Sequence, residues 1–351
     1  MNPIIFNLKS ITPTFLAGVD GKSFELRPSS VKGLMRFWWR ACYWGENTTS
    51  ISSAKINEKE GKLFGTTVKD GLKSPFSIRL FHEIPIQPSN EPFPKHNIMV
   101  TSRGRRFPIN ILEYLAYGTM EYQRGKGNVF IREYLPVGQK FSVKIIPTNN
   151  LKADDVKEIV KSFYYLSIFG GLGAKSRNGF GAFTVLNPEE FAKYGVDYSF
   201  SDEKVVNIVK KNENIPYYSA FSRRALIFEL KKTPNSWDGC LAELGKIYRS
   251  ARNNLERKHQ YEKRQYIGAP IVAFKKYQSF LERRAKPYFL RIRRIDDHYK
   301  GHILYLPSIY CAGEKYDRNK QNIPKNVDQK FEEVCTQFNK YIKYEMEGKH
   351  E

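Results

Sequence analysis

The sequence predicts an α+β fold built from two units, and two observations lead to this expectation. The chain has 351 residues, which is long for one hydrophobic core and comfortable for two domains. Along it, segments with the two-residue period of strands alternate with segments that have the 3.6-residue period of helices. Because 41% of the residues are hydrophobic, we expect two well-packed cores.

The first unit contains the elements that most clearly show these two periods. In chain order they are a strand at 4–12, a helix at 29–44, strands at 76–83 and 139–146, a helix at 152–168 and a strand at 179–186. Residues 84–127 contain Pro, Gly and Arg and are expected to form loops and an insertion. The polar segment 197–222 is expected to link this unit to the next.

The second unit repeats the same order of elements. They are a strand at 223–230, a helix at 238–258, strands at 287–295 and 301–310 and a helix at about 327–347. Strand–helix–strand–strand–helix is the order of a ferredoxin-like domain. We therefore expect two tandem ferredoxin-like domains with loop insertions, at residues 1–205 and 206–351.

The charge balance points to a polyanionic partner. The chain carries 58 lysine and arginine residues against 36 aspartate and glutamate residues, a net charge of +22. Such a field attracts nucleic acid or an acidic membrane surface. No stretch approaches the roughly 20 apolar residues that span a bilayer, and the N-terminal segment lacks the pattern of a signal peptide. We expect a soluble, cytoplasmic protein that does not bind a membrane.

The cysteines argue against a metal or redox site. Cys42, Cys240, Cys311 and Cys335 are all at least 24 residues apart, so no C-x-x-C spacing occurs. We expect buried free thiols and neither a metal nor another cofactor.

The segment GGLGAKSRNGFG, from Gly170 to Gly181, raises the possibility of a nucleotide-phosphate loop. The P-loop pattern fails at both of its glycines, because Phe169 and Ala174 stand in their places. The loop also follows a helix and precedes a strand, so no helix N-terminus is available to a triphosphate. A nucleotide hydrolase is therefore disfavoured, and a phosphate would be held by Lys175, Arg177 and backbone amides.

Basic residues interleaved with aromatic ones favour single-stranded RNA as the polyanion. Residues 275–294 contain eight basic residues and one acidic residue, and residues 249–264 contain six and two. Lysine and arginine bind phosphates, and aromatic side chains stack on unpaired bases. A solvated basic face over core aromatics remains the alternative for any one cluster.

The helix at 29–44 sorts into two faces at 100° per residue. The face assigned to the core contains Val31, Leu34, Phe37, Trp38 and Ala41. The opposite face contains the basic stripe Lys32, Arg36 and Arg40, with Trp39 and Tyr43 beside it.

Histidine chemistry is the second functional hypothesis. His298 and His302 lie in the segment DDHYKGH, where a general base of a metal-independent ribonuclease could be sought. A hairpin turn with exposed polar residues explains the same segment.

Three stretches resemble a known family. FELRPSSVKGLMRFWWRA (24–41), preceded by ITPTFLAG (11–18), is similar to the N-terminal signature of the RAMP proteins of type III-B CRISPR effector complexes. GGLGAKSRNGFGAF (170–183) resembles the glycine-rich loop of the same superfamily, and RRAKPYFLRI (283–292) is a looser match in the second unit. The similarity is strongest to the large two-domain RAMP subunit of the Cmr complex.

The resemblance implies two tandem RRM-like domains and a non-catalytic role. Subunits of this kind hold guide and target RNA and contact neighbouring RAMP subunits, while catalysis is attributed to other subunits. The RNA contacts that it implies are Arg27, Lys32, Arg36, Trp39 and Arg40 in the first motif, Lys175, Arg177 and Phe180 in the loop, and Arg283, Arg284 and Lys286 in the second unit.

Overall fold

The computed structural model describes most of the chain as an α+β fold. The described residues are 2–47, 52–68, 71–102, 104–149, 151–198, 206–207, 209–232, 234–256, 260–268, 272–273, 277–279, 281, 283–311 and 322–348. The strands are β1 (Ile4–Ser10), β2 (Phe76–Phe81), β3 (Asn97–Ser102), β4 (Arg105–Asn110), β5 (Met120–Gln123), β6 (Gly127–Phe130), β7 (Lys140–Pro147), β8 (Phe183–Val185), β9 (Leu226–Glu229), β10 (Val272–Ala273), β11 (Tyr277–Gln278), β12 (Tyr288–Ile295) and β13 (His298–Tyr305). The helices are α1 (Pro28–Glu46), α2 (Ser53–Phe64), α3 (Ile111–Leu115), α4 (Ala153–Phe169), α5 (Glu189–Ala192), α6 (Trp237–Leu255) and α7 (Val327–Glu347), with a 3-10 turn at Arg264–Ile267.

The first unit is a four-stranded antiparallel sheet in the order β2-β7-β1-β8. Its strands alternate buried and exposed residues, as a sheet with one covered face requires. The inward residues, such as Phe6 and Val143, form the first core with α1 and α4. The predicted strands and helices of this unit are confirmed, although the strand expected at 179–186 is confined to Phe183–Val185.

The second unit is a three-stranded antiparallel sheet in the order β12-β13-β9. Helices α6 and α7 cover one face of it and enclose the second core, which includes Leu244 and Phe338. The predicted helix at about 327–347 coincides with α7. Residues 275–276 and 280, which belong to one of the basic and aromatic runs noted above, lie outside the described residues.

The second sheet is covered on both faces, because the first unit packs against its other side. Phe289 and Leu304 belong to the first core, and the ring of Phe289 lies 5.2 Å from that of Trp38 on α1. Arg291 of β12 is buried and donates hydrogen bonds to the carbonyls of Ser167 (2.5 Å) and Ile168 (3.2 Å) at the end of α4. A cation there stabilises the negative end of the helix, so the two units are tied together.

Two connections contain more structure than their sequences indicated. The insertion that starts at residue 84 extends to Phe130 and contains the hairpins β3–β4 and β5–β6 and helix α3, which packs in the second core beside α6. The described part of 197–222, which was expected to link the two units, packs against α1. Val209 and Phe221 are fully buried in the first core, and the Phe221 amide donates to the Ala41 carbonyl (3.0 Å). Burial of these two apolar side chains holds the segment against α1, although most of its other residues are polar.

The four cysteines are buried free thiols, as expected. Within the described ranges, no helix has the length and apolar character needed to cross a bilayer. The same part of the chain contains no cluster of three or more His, Cys, Asp or Glu side chains suited to a metal ion.

Candidate nucleic-acid interface

The arginines of the α1 stripe are neutralised within the protein. Arg40 Nη1 lies 3.0 Å from Oε2 of Glu60 on α2, and Arg36 Nε pairs with the same carboxylate. Glu60 is only 2% exposed, so this ion pair holds α2 against α1. Neither arginine is a free cation, and the role in RNA binding implied for them is not supported by this geometry.

Lys32 and Arg27 also have partners in the first unit. The Lys32 ammonium lies 4.7 Å above the ring of Phe76 and 3.5 Å from its carbonyl oxygen. Partial burial, with a contribution from Arg36, lowers the pKa of Lys32. Arg27, half-buried before α1, donates weakly to the Ala17 carbonyl (3.5 Å).

Trp39 was assigned to the wrong side of α1. Its side chain is 1% exposed, stacks on Tyr43 at 4.7 Å, and donates its indole N–H to Glu158 on α4 (2.8 Å). The helical period alone placed it opposite the core, but α2 and α4 cover this side of the helix as well. Trp39 therefore cannot stack on a base in this conformation.

The glycine-rich loop from Gly170 to Gly181 folds tightly onto the protein itself. Gly173 (φ 76°) and Gly181 (φ 72°) adopt left-handed conformations, and an added Cβ would lie 2.2 Å from the Phe15 carbonyl oxygen and 1.9 Å from that of Leu172 respectively. These glycines are required by close contacts between backbone segments. The helix–loop–strand order predicted for this region is confirmed by α4 and β8.

Phe180 is a core residue rather than an exposed contact. It is 0% exposed and lies 5.5 Å from each of the rings of Phe15 and Phe93. The RNA contact implied for Phe180 is therefore not supported. Its partners come from the start of the chain and from the insertion, which local sequence could not reveal.

Arg177 joins the loop to the second unit. Its backbone carbonyl accepts from the amide of Leu290 on β12 (3.0 Å), and its guanidinium donates to the carbonyl of Lys286. The guanidinium also stacks 4.3 Å above the ring of Phe289. Burial, with repulsion from Arg284, lowers the pKa of Arg177 to about 10. A cavity of about 190 Å³ opens beside it, between α1, the loop and β12.

Lys286 has a buried ammonium group with no hydrogen-bond partner among the described residues. The Nζ atom lies 4.2 Å above the ring of Tyr248. Burial is the main reason why the pKa of Lys286 is well below its usual value, and Arg177, Arg252 and Lys175 lower it further. Four cations therefore meet where the loop contacts the second unit.

We call Lys175, Arg177, Arg252 and Lys286 the junction cluster. None of the four forms an ion pair with a carboxylate in the part of the chain that the structure describes. Lys175 is half-buried in a left-handed conformation (φ 62°), and burial together with Arg132 lowers its pKa. Buried cations without counter-ions are costly, and a bound anion would relieve that cost. Arg252 was the member not singled out from the sequence, although it lies in the basic run 249–264.

Arg284 and Arg283 are the other two RNA contacts implied for the second unit, and they differ in exposure. Arg284 donates to the Ser308 hydroxyl (2.5 Å) and the Ile309 carbonyl (2.8 Å), which fixes it beneath the end of β13. Arg283 is exposed. Only Arg283 of these two can reach a ligand without a rearrangement.

His298 and His302, the two histidines of DDHYKGH, lie in different environments. His302 is 4% exposed, and burial together with Arg293 and Arg291 lowers its pKa to about 3. His298 is exposed and starts β13 after a two-residue turn, so the hairpin turn predicted for DDHYKGH is confirmed, whereas His302 is not one of its exposed residues. Substrate RNA cannot reach His302 in this fold.

The chain combines two α+β units, a glycine-rich loop and a cluster of basic side chains where the loop contacts the second unit. The sequence model of the RAMP superfamily matches residues 7–184, and the chain belongs to that superfamily. The resemblance noted from the sequence is thereby confirmed.

The similar proteins are subunits of one kind of CRISPR system. The chain is 30% identical over 196 residues to the CRISPR system Cmr subunit Cmr1-2 of Pyrococcus furiosus, covering 53% of this chain and 96% of that protein. It is 24% identical over 324 residues to the Cmr1-1 subunit of the same organism, covering 85% and 86%.

Two solved structures share the fold. The crystal structure of apo Cmr1 from Pyrococcus furiosus aligns with a TM-score of 0.55 at 19% identity, covering 95% of this chain and 97% of that chain. A chain of the type III-B Cmr-beta complex bound to cognate target RNA, determined by cryo-EM, aligns with a TM-score of 0.53 at 12% identity, covering 95% and 99%. At these identities the similarity establishes the fold alone.

Proposed function

We propose that this chain is a non-catalytic RNA-binding subunit of a type III-B CRISPR ribonucleoprotein effector that acts in the cytoplasm. Its membership of the RAMP superfamily and its similarity to Cmr1 subunits support this role. The structural similarity to a chain of a complex bound to cognate target RNA agrees with it. In this role the chain holds guide or target RNA and contacts neighbouring RAMP subunits.

The junction cluster is the observation that carries the proposal. A phosphate of the RNA backbone is the anion that such a complex would supply to the half-buried Lys175, and its negative charge would offset the repulsion among the basic side chains of the cluster. The exposed Arg283 lies on the segment leading to Lys286 and extends the contact. Phosphate contacts position the RNA without reading its sequence, so we expect weak sequence preference.

The proposal includes a finer description of the fold, namely two tandem ferredoxin-like domains with a boundary at residues 205/206. The strand order β2-β7-β1-β8, with α1 and α4 following β1 and β7, supports this description for the first unit. The order β12-β13-β9 agrees with the first three strands of the same plan for the second unit.

The test is the affinity for single-stranded RNA as a function of salt. Lys175→Gln removes a charge that has no ion-pair partner among the described residues, and we expect at least fivefold weaker binding by fluorescence anisotropy. For a single strand, each lost phosphate contact also reduces the slope of log affinity against log salt by about 0.7. Lys126→Gln, at an exposed position in the β5–β6 turn, is the matched control and should leave both quantities unchanged. An unchanged slope for Lys175→Gln would remove the junction cluster from the interface.

The ribonuclease alternative has its own test. Incubation of the protein with end-labelled RNA in EDTA should leave the RNA intact. Cleavage at defined sites that is lost in His298→Ala would overturn the non-catalytic assignment.

A further inference from the structure

The outer face of the first sheet is a second charged surface that is separate from the junction cluster. Helices α1 and α4 cover the inner face, and the outward side chains of β1, β2 and β7 alternate with the buried ones. Four of the outward residues are cationic: Lys9, Arg79, Lys140 and Lys144. Phe81 lies on the same face and is 38% exposed.

The strands of this sheet, β1, β2, β7 and β8, contribute no acidic residue that could balance the four cations. Among the residues that the structure describes, none of the four side chains takes part in an ion pair or a hydrogen bond. In this respect the face differs from the α1 stripe, whose arginines pair with Glu60.

The strand register sets the cations in two pairs. Lys9 lies opposite Lys140, and Arg79 lies opposite Lys144. Like charges directly opposite each other in a sheet repel, and a polyanion lying across them would relieve that repulsion. At about 3.4 Å per residue, positions 140 and 144 of β7 are about 14 Å apart, so the pairs present two separated contact points.

The row between the two pairs is uncharged and carries the aromatic ring. Phe81 lies opposite Ser142, and Ser142 in turn lies opposite Asn7 and donates to its side-chain oxygen (2.8 Å). An exposed ring between cationic positions on an open antiparallel sheet suits a nucleic-acid strand, whose bases stack while its phosphates meet the cations. An acidic protein surface would pair with the cations, but it would offer no planar base to stack on the ring of Phe81.

We propose that this outer sheet face binds a second segment of single-stranded RNA, with phosphates at the Lys9/Lys140 and Arg79/Lys144 pairs and a base stacked on Phe81. The face shares its ligand class with the proposed function but none of its residues. The Lys9/Lys140 pair lies at the end of the sheet where β8 begins, directly after the glycine-rich loop. A single RNA strand can therefore pass from the junction cluster onto this face.

The experiment uses the full chain and a fluorescent 30-nucleotide oligouridine at several salt concentrations. Arg79→Glu with Lys144→Glu should weaken binding at least tenfold at low salt and reduce the log–log slope by about 1.4, that is, two phosphate contacts. Lys55→Glu with Lys126→Glu makes the same change in net charge at exposed positions on α2 and in the β5–β6 turn, and should cause less than a threefold change.

Phe81→Ala separates base stacking from general charge attraction. Loss of one stacked base should weaken binding roughly 5- to 150-fold, whereas Phe81→Tyr should bind like the parent protein. If Phe81→Ala binds the RNA with the affinity of the parent protein, no base stacks on Phe81 and that part of the proposal is wrong. Normal affinity for the double charge reversal overturns the whole proposal and leaves an acidic protein surface as the ligand that fits these charges. In either case Lys175→Gln reports separately on the proposed function, which stands if only that substitution weakens binding.

Discussion

Replacement of Lys286 by methionine should make the free protein more stable. The buried ammonium loses its hydration and gains only the ring of Tyr248 at 4.2 Å, a contact worth about 2 kcal/mol at most. The effective penalty for burying an ion is several kcal/mol. Methionine keeps the length of the side chain and has no charge, so we expect Lys286→Met to raise the free energy of unfolding by about 1–3 kcal/mol at pH 7.5.

The extra stability of Lys286→Met should decrease as the pH rises. Because the pKa of Lys286 is lowered in the folded state, the unfolded chain binds more protons between that pKa and the usual value of 10.5. The stability of the parent protein therefore rises with pH in this window through Lys286, by at most about 1.4 kcal/mol per pH unit. The advantage of Lys286→Met should shrink accordingly as the pH rises.

Urea unfolding followed by tryptophan fluorescence at pH 7.5, 8.5 and 9.5 measures this difference. Lys126→Met, at an exposed position, should match the parent protein at each pH. The reasoning is refuted if Lys286→Met is less stable than the parent, or if the difference does not change with pH.

Three further substitutions test the structural roles assigned to implied RNA contacts. Glu60→Gln leaves two α1 arginines without their carboxylate and should lower the free energy of unfolding by about 2 kcal/mol in urea, with RNA affinity unchanged; an unaltered urea midpoint would contradict the ion pair. Trp39→Phe removes the indole hydrogen bond to Glu158 and should cost about 2 kcal/mol, whereas an affinity loss without a stability loss would restore Trp39 as an RNA contact. Phe180→Ala should cost about 3–5 kcal/mol by thermal unfolding, and a cost below 1 kcal/mol would contradict its place in the second core.

Helices and strands whose apolar residues recur at regular spacing could be predicted from the sequence. Which other elements pack against each of them could not. The helix at 153–169 and the strand pair around the Asp296–Asp297 turn follow from local patterns. Trp39 was misjudged because a single helix period cannot show that α2 and α4 both pack on α1. Helix α2 itself was not predicted, since its apolar positions are few and its stability depends on the Glu60 ion pair.

The candidate site divides in the same way. Lys175 and Arg177 of the loop were identified from composition and resemblance, and the order helix–loop–strand disfavoured a nucleotide site. The burial of Lys286 could not be foreseen, because it depends on the approach of Arg252 from α6 and on the ring of Tyr248. Charge spacing along a helix also cannot distinguish a free cation from one that is paired with a carboxylate elsewhere in the chain.

The second sheet, with the first unit on one face and α6 and α7 on the other, has a consequence for synthesis. Phe289 and Leu304, which are made late, form part of the core that covers the apolar side of α1 and α4. Until β12 and β13 emerge from the ribosome, the N-terminal half exposes that side to solvent and to other nascent chains. Contacts between such distant segments slow folding and lengthen this exposure. The first core is therefore completed only after most of the chain has been made, and the N-terminal half cannot finish folding on its own.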